Sequence, residues 1–161
     1  MTGIIFGSST GNTENAARII AEKIEGSVLK SVTDIDSEFL ERCSSLVLGT
    51  STWGSGELQD DWEKGAEILK QSDLSGKKVA LFGLGDQAEW ADTFVDAMGI
   101  LYDIVKDKGA AVVGSWGTEG YSFAQSAAVK GGKFVGLVLD DNNQSELTEE
   151  RIEKWVQSIK G

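Results

Sequence analysis

The chain has 161 residues and a formal net charge of −11, from 26 acidic against 15 basic side chains, and 40% of it is hydrophobic. That length fits one folded domain of roughly 100–200 residues, and the acidity repels nucleic acid and anionic membranes, so basic proteins are the expected partners. Histidine is absent and Cys43 is the lone cysteine, which removes the commonest general base and metal ligand near neutral pH, together with any internal disulfide.

No basic leader with a following apolar stretch is visible, and no apolar run approaches the roughly 20 residues of a bilayer span, so a cytoplasmic protein is expected. Proline is also absent, which leaves glycine to supply the positive φ angles of tight turns.

Along the chain, Gly3–Phe6 is the first of several short, nearly continuous apolar runs that read as strands buried on both faces. A glycine- and hydroxyl-rich loop follows, then a helical stripe at Ala16, Ala17, Ile20 and Ile24 with Thr13 as its expected N-cap. Val28–Val32 alternates more and is expected at a sheet edge. Leu46–Gly49 predicts the next strand, and Trp62, Ala66 and Leu69 the next helix. Val79–Leu84 is followed by a stripe at Phe94, Met98, Leu101 and Val105. Ala110–Gly114 and Phe134–Leu139 flank a Gly-, Ser- and Ala-rich stretch, Ser115–Lys133, whose poor periodicity predicts a surface insertion splitting the fifth strand. Ile152, Trp155, Val156 and Ile159 form a last stripe, with Thr148 as its expected cap.

Strand and helix alternate throughout. The expected fold is α/β: an open, doubly wound sheet of five parallel strands with helices on both faces, carrying its ligand site at the carboxyl ends of the strands. Residues 1–161 are expected to form a single domain with an insertion at about 115–133.

Gly7-Ser8-Ser9-Thr10-Gly11-Asn12-Thr13 joins the first strand to a helix, so backbone N–H groups and hydroxyls converge at a helix N-terminus. That arrangement suits a phosphate. It is not a Walker A loop, because only three residues separate Gly7 from Gly11 and Asn12 stands where lysine would hold transferable phosphates. The segment fits a permanent anchor for a phosphate monoester. Two later loops, Gly49–Leu58 and Leu84–Asp92, each carry one tryptophan among small and acidic residues. Indoles at two adjacent strand ends can enclose a flat aromatic ligand.

Phe6–Glu14 resembles the phosphate signature of the flavodoxins, and the two tryptophan loops resemble the pair that encloses the isoalloxazine in that family. The resemblance runs from Met1 to Lys160 and, with the insertion, matches the long-chain subgroup. It implies a flavodoxin-like fold and one non-covalent flavin mononucleotide (FMN). By it, Ser8, Ser9, Thr10, Asn12 and Thr13 contact the phosphate, and Gly11 lets the backbone approach. Ser51, Thr52, Trp53, Gly54, Ser55 and Gly56 line one side of the flavin; Leu84, Gly85, Asp86 and Trp90 line the other. Thr93 and Val95 fall at the pyrimidine edge and Asn142 near the ribityl chain. Trp90 stands where the family usually has tyrosine, and Asn12 where lysine is commoner.

The implied function is a low-potential one-electron carrier, not an enzyme, that shuttles between semiquinone and hydroquinone in place of ferredoxin. Nearby carboxylates disfavour the anionic reduced flavin, and the Gly54 peptide can turn its carbonyl toward the flavin N5. Basic redox proteins such as a flavodoxin/ferredoxin-NADP reductase are the expected partners, with no nucleic acid, no membrane and no metal, and the chain is expected to be a monomer. An FMN-dependent quinone or azo reductase on the same fold is the alternative. It needs a substrate pocket over the flavin face that Trp53 and Trp90 occupy. Gly83–Ala88 also satisfies the loose dinucleotide pattern, but it lies mid-chain rather than in the first βα turn. A phospho-receiver needs carboxylates where this chain has Ser8, Ser9 and Thr10.

Overall fold

The computed structural model describes residues 1–8, 10–53 and 56–160, with Trp53 described in its backbone alone. The strands are β1 (Thr2–Phe6), β2 (Val28–Ser31), β3 (Ser45–Trp53), β4 (Glu57–Leu58), β5 (Lys78–Leu84), β6 (Ala111–Val113), β7 (Val129–Lys130), β8 (Lys133–Phe134) and β9 (Leu137–Leu139). The helices are α1 (Asn12–Lys23), α2 (Ser37–Arg42), α3 (Trp62–Lys70), α4 (Asp96–Asp107) and α5 (Thr148–Lys160).

The sheet order is β2-β1-β3-β5-β6, with every one of these pairs parallel. β9 pairs with β5 through Phe82, Gly83 and Leu84, beyond the Lys78–Ala80 stretch that pairs with β6. β6 and β9 therefore share one lane, giving five parallel lanes with the fifth interrupted. β2 is an edge strand, as its alternation predicts. β4 folds back antiparallel on the end of β3 at Thr52 and Trp53.

The period of two sorts the sheet's side chains into two cores. Ile5, Leu46, Leu48, Val79, Leu81 and Val138 face one way and pack with Trp62 and Leu69 of α3 and Met98, Leu101 and Val105 of α4. Ile4, Phe6, Val47, Ala80, Phe82 and Leu137 face the other way and pack with Ala16, Ala17 and Ile20 of α1 and Ile152, Trp155 and Val156 of α5. Each fully buried large aliphatic or aromatic side chain stabilises the fold by about 1.5–3 kcal/mol. Gly49 permits this close packing, because a Cβ there would lie 2.0 Å from the Phe82 ring.

Several boundaries differ from the sequence reading. α1 begins at Asn12 with Gly11 as its N-cap and no capping side chain, so Thr13 lies inside the first turn. Thr148 is the first residue of α5, and its hydroxyl donates to the Asp141 carboxylate. α4 starts at Asp96, two residues after Phe94, because Val95 is held at φ 48°. α2 is only six residues long, too short to show a period; Asp36 caps it by accepting from the Phe39 N–H at 2.8 Å.

The segment between β6 and β9 is a strap with its own packing. β7 and β8 make a small antiparallel ladder, and Trp116 bridges to Phe134. The Tyr121 and Phe123 rings each lie 5.3 Å from the Phe134 ring. The Tyr121 hydroxyl donates to the Val138 carbonyl at 2.6 Å and accepts from the Trp116 indole at 2.9 Å. Burial pushes that hydroxyl up to about 12, so it remains a donor at neutral pH. The Arg151 guanidinium stands 4.2 Å from the Tyr121 ring centroid, a cation–π contact from α5.

Candidate functional site

Chain order in the sheet reverses between β1 and β3, so a crevice opens at their carboxyl ends. A cleft of about 340 Å³ occupies that place, within the roughly 300–1,000 Å³ of small-ligand sites.

One wall is the loop from β1 into α1, which contributes Thr10, Asn12 and Thr13. Gly11 takes φ 94°, a left-handed angle that L side chains rarely adopt. The turn is closed from within, since the Gly11 N–H donates to Ser8 Oγ at 2.9 Å. Without a capping side chain, the first N–H groups of α1 face the cleft with the positive end of the helix dipole behind them. No lysine or arginine is among the described residues that line it. An anion here is held by N–H and O–H dipoles, which fits a bound phosphate monoester.

The opposite wall is the loop after β5, with Leu84, Gly85, Asp86 and Trp90. Trp90 is 48% exposed, high for an indole, a residue that is mostly buried on average. Asp86 ties this loop together: its carboxylate accepts from the Glu89 N–H at 3.0 Å and the Ala88 N–H at 3.1 Å. The Glu89 N–H, with the Asn143 amide and the Ala88 N–H, holds the Asp86 carboxyl below the usual carboxylate range against a smaller opposing effect of burial. It is ionised at neutral pH. The Trp90 N–H in turn donates to the Asp86 carbonyl at 2.9 Å.

Between the walls lie Ser51 and Thr52 at the end of β3, and Asp141 and Asn142 after β9. Thr52 Oγ1 accepts from the Ala97 N–H at 3.0 Å, which ties β3 to the first turn of α4. Asn142 donates to Asp86 at 3.3 Å.

Not every expected residue is on the cleft. Ser8 turns its hydroxyl inward to Gly11, and Gly56 is buried beside Asp96. Thr93 donates its N–H to the Trp90 carbonyl at 3.3 Å and stands outside the lining. Val95 is fully buried and packs beneath Gly85, so its side chain belongs to the core. Ser9, Gly54, Ser55 and the Trp53 side chain lie outside the described residues. Asp141 lines the cleft without having been expected there; its one sequence signal is its place beside Asn142 at a strand end. Among the described residues no cluster of histidine, cysteine or carboxylates is placed to hold a metal, and no helix is long and apolar enough to cross a membrane.

The chain resembles known proteins over nearly its full length. It is 48% identical to a flavodoxin of Synechocystis over 161 residues, 98% of this chain and 95% of that one. It is 47% identical to flavodoxin 1 of Escherichia coli K12, covering 99% and 92%. The crystal structure of Fusobacterium nucleatum flavodoxin bound to flavin mononucleotide superposes with a TM-score of 0.93 at 34% identity, covering 99% of this chain and 96% of that chain. A family model described as Flavodoxin matches residues 4–155, a span that takes in all three loops around the cleft, and the chain belongs to the flavodoxin family.

Proposed function

We propose that the chain is a low-potential, one-electron carrier that holds one FMN in this cleft and serves other redox proteins. The observation that carries the reading is an uncapped helix N-terminus facing, across the cleft, a half-exposed indole. FMN supplies the electron chemistry; the residues around it fix its place and its potential. The first turn of α1, with Ser9, Thr10, Asn12 and Thr13, holds the phosphate, while Ser8 acts from behind by closing the turn at Gly11, which keeps the backbone close. Asn142 meets the ribityl chain. Leu84, Gly85 and Trp90 cover one face of the ring and residues 51–56, with Trp53, the other. Thr93 and Val95 approach the pyrimidine edge through their backbone. Asp86, ionised beside the ring, opposes the negative charge that reduction adds and so lowers the potential.

Residues 1–161 act as one FMN-binding domain, with the strap as the long-chain insertion. The role is carriage rather than catalysis; Trp90 covers the face that a quinone or azo substrate would need, so the reductase reading is not favoured. Denaturing the purified protein releases FMN and not FAD, because the α1 terminus ends a monophosphate. Chromatography of the released cofactor checks this, and recovery of FAD overturns it.

The protein works in the cytoplasm as a monomer, and its partners are basic proteins such as a flavodoxin/ferredoxin-NADP reductase. Carboxylates crowd the segments that follow β3 and β5, with Glu57, Asp60, Asp61 and Glu63 on or before α3 and Glu89 and Asp92 beside Trp90 in sequence. Complementary fields speed the encounter of transient redox partners, and salt screens them once the Debye length falls below about 10 Å. Asp61→Asn with Glu63→Gln therefore slows electron transfer to a basic reductase at low salt. Glu22→Gln with Glu25→Gln, at the far end of α1, does so less. Stopped-flow rates over a salt series measure both pairs; equal effects would mean that only net charge matters.

A further inference from the structure

The Trp90 loop is joined to the strap by one side chain that has no direct place on the cleft. Gln87 is 6% exposed. Its Oε1 accepts from the Ser122 N–H at 2.6 Å, and its Nε2 donates to Asp140 Oδ2 at 2.7 Å and to Gln144 Oε1 at 2.9 Å. Its backbone N–H also donates to Asp140 at 3.0 Å. Both amide protons and the amide oxygen are thus used, by three different segments: the strap, the end of β9 and the turn before α5.

The network reaches the cleft in two directions. Asn143 Nδ2 donates to Asp140 at 2.9 Å and to the cleft carboxylate Asp86 at 2.8 Å. Gln144 Nε2 donates to the Gly120 carbonyl at 2.9 Å, a second tie to the strap. Further along, the Ala124 and Gln125 N–H groups both donate to the Ala91 carbonyl, at 2.9 and 3.0 Å, directly after Trp90. The loop is short of apolar anchors of its own, since Asp86, Glu89, Trp90 and Asp92 all point to solvent or to the cleft. Its shape depends on these polar ties.

We infer that Gln87 is a positioning residue for flavin binding: through Ser122 and Asp140 it uses the strap to hold the Trp90 loop in its ring-covering shape. Replacing it with leucine keeps the volume but leaves the Ser122 N–H without an acceptor and withdraws one donor from buried Asp140. The loop then relaxes away from the strap, and the Trp90 stack is held less well. The phosphate end, on the other wall, is untouched.

This inference rests on the FMN reading, and the experiment separates the two. Quenching of flavin fluorescence by the wild-type full chain comes first; no binding of FMN would remove the reading itself. Gln87→Leu is then expected to weaken FMN and riboflavin alike, by about tenfold, since the lost contact is to the ring and not the phosphate. The visible circular dichroism of bound flavin is expected to change as well. A shift of the urea midpoint with both affinities and the dichroism unchanged would show a purely structural role and overturn the inference, as would a loss confined to FMN. Gln144→Leu, which removes one acceptor of Gln87 and the tie to Gly120 but leaves the Gln87 bonds to Ser122 and Asp140 in place, provides the same readout should the first variant not fold. A weaker loss shared by both flavins supports the inference, and affinities equal to wild type overturn it.

Discussion

Thr13→Val weakens FMN binding by about 1–3 kcal/mol, the range for a lost hydrogen bond to a charged group, and leaves riboflavin binding unchanged. Thr13 is the second residue of α1 and only 2% exposed, yet it lines the cleft. Valine has the same shape and keeps the packing beneath the loop, so the substitution removes the hydroxyl alone. Thr10, on the same wall but exposed, gives a smaller loss when changed to valine, because water competes for its bond. Fluorescence titrations with the two flavins isolate the phosphate, since riboflavin has the ring and the ribityl chain without it. An equal loss for both ligands would place the phosphate elsewhere.

Trp62→Ala has the largest expected effect on the fold, a loss of about 3–5 kcal/mol. In a chain of this size that is a fall of roughly 6–20 °C in the unfolding midpoint. Trp62 is completely buried at the start of α3. Its indole N–H donates at 2.8 Å to the Gly49 carbonyl, which also accepts from the Gly7 N–H at 3.2 Å. A Cβ on Gly7 would lie 2.7 Å from the Trp62 ring, so the ring fills the space under the start of the phosphate loop. Alanine empties it and leaves the end of β1 and the middle of β3 at Gly49 without their common support. Trp62→Phe keeps most of the apolar contact but removes the donor, and costs less, about 1–3 kcal/mol. Urea denaturation of both variants checks the order. Trp62→Ala within 1 kcal/mol of wild type would show that the ring does not hold the start of the phosphate loop against β3.

Trp62 also shows why part of the site escapes a sequence reading. Its place in the stripe with Ala66 and Leu69 predicts burial, and burial is found. Nothing in that period says that its N–H reaches Gly49, thirteen residues earlier, because the pair is brought together by the sheet and not by the helix. Gln87 is the stronger case: a polar residue in a polar loop reads as solvated, and only the return of the strap and of β9 encloses it. Asp141 joins the cleft for the same reason, through its position after the last strand.

The sequence alone determined whatever depends on local periodicity and loop chemistry. Buried parallel strands leave continuous apolar runs and helices leave stripes at three and four, so the strand–helix alternation and the interrupted fifth lane were legible. Thr10, Asn12 and Thr13 stood out as hydroxyl and amide groups gathered in one loop, and Trp90 as an indole in a polar loop outside the helical stripes. Tertiary structure alone decided where the elements begin and which loops support one another. Gly11 replaced Thr13 as the cap, because a left-handed angle at that glycine starts the helix one residue before the threonine. Val95 went to the core, because the same kind of angle turns its side chain beneath Gly85. The first outcome is local, a glycine turn closed by Ser8, while the second is set by packing between the β5 loop and the start of α4, which no local pattern of residues can encode.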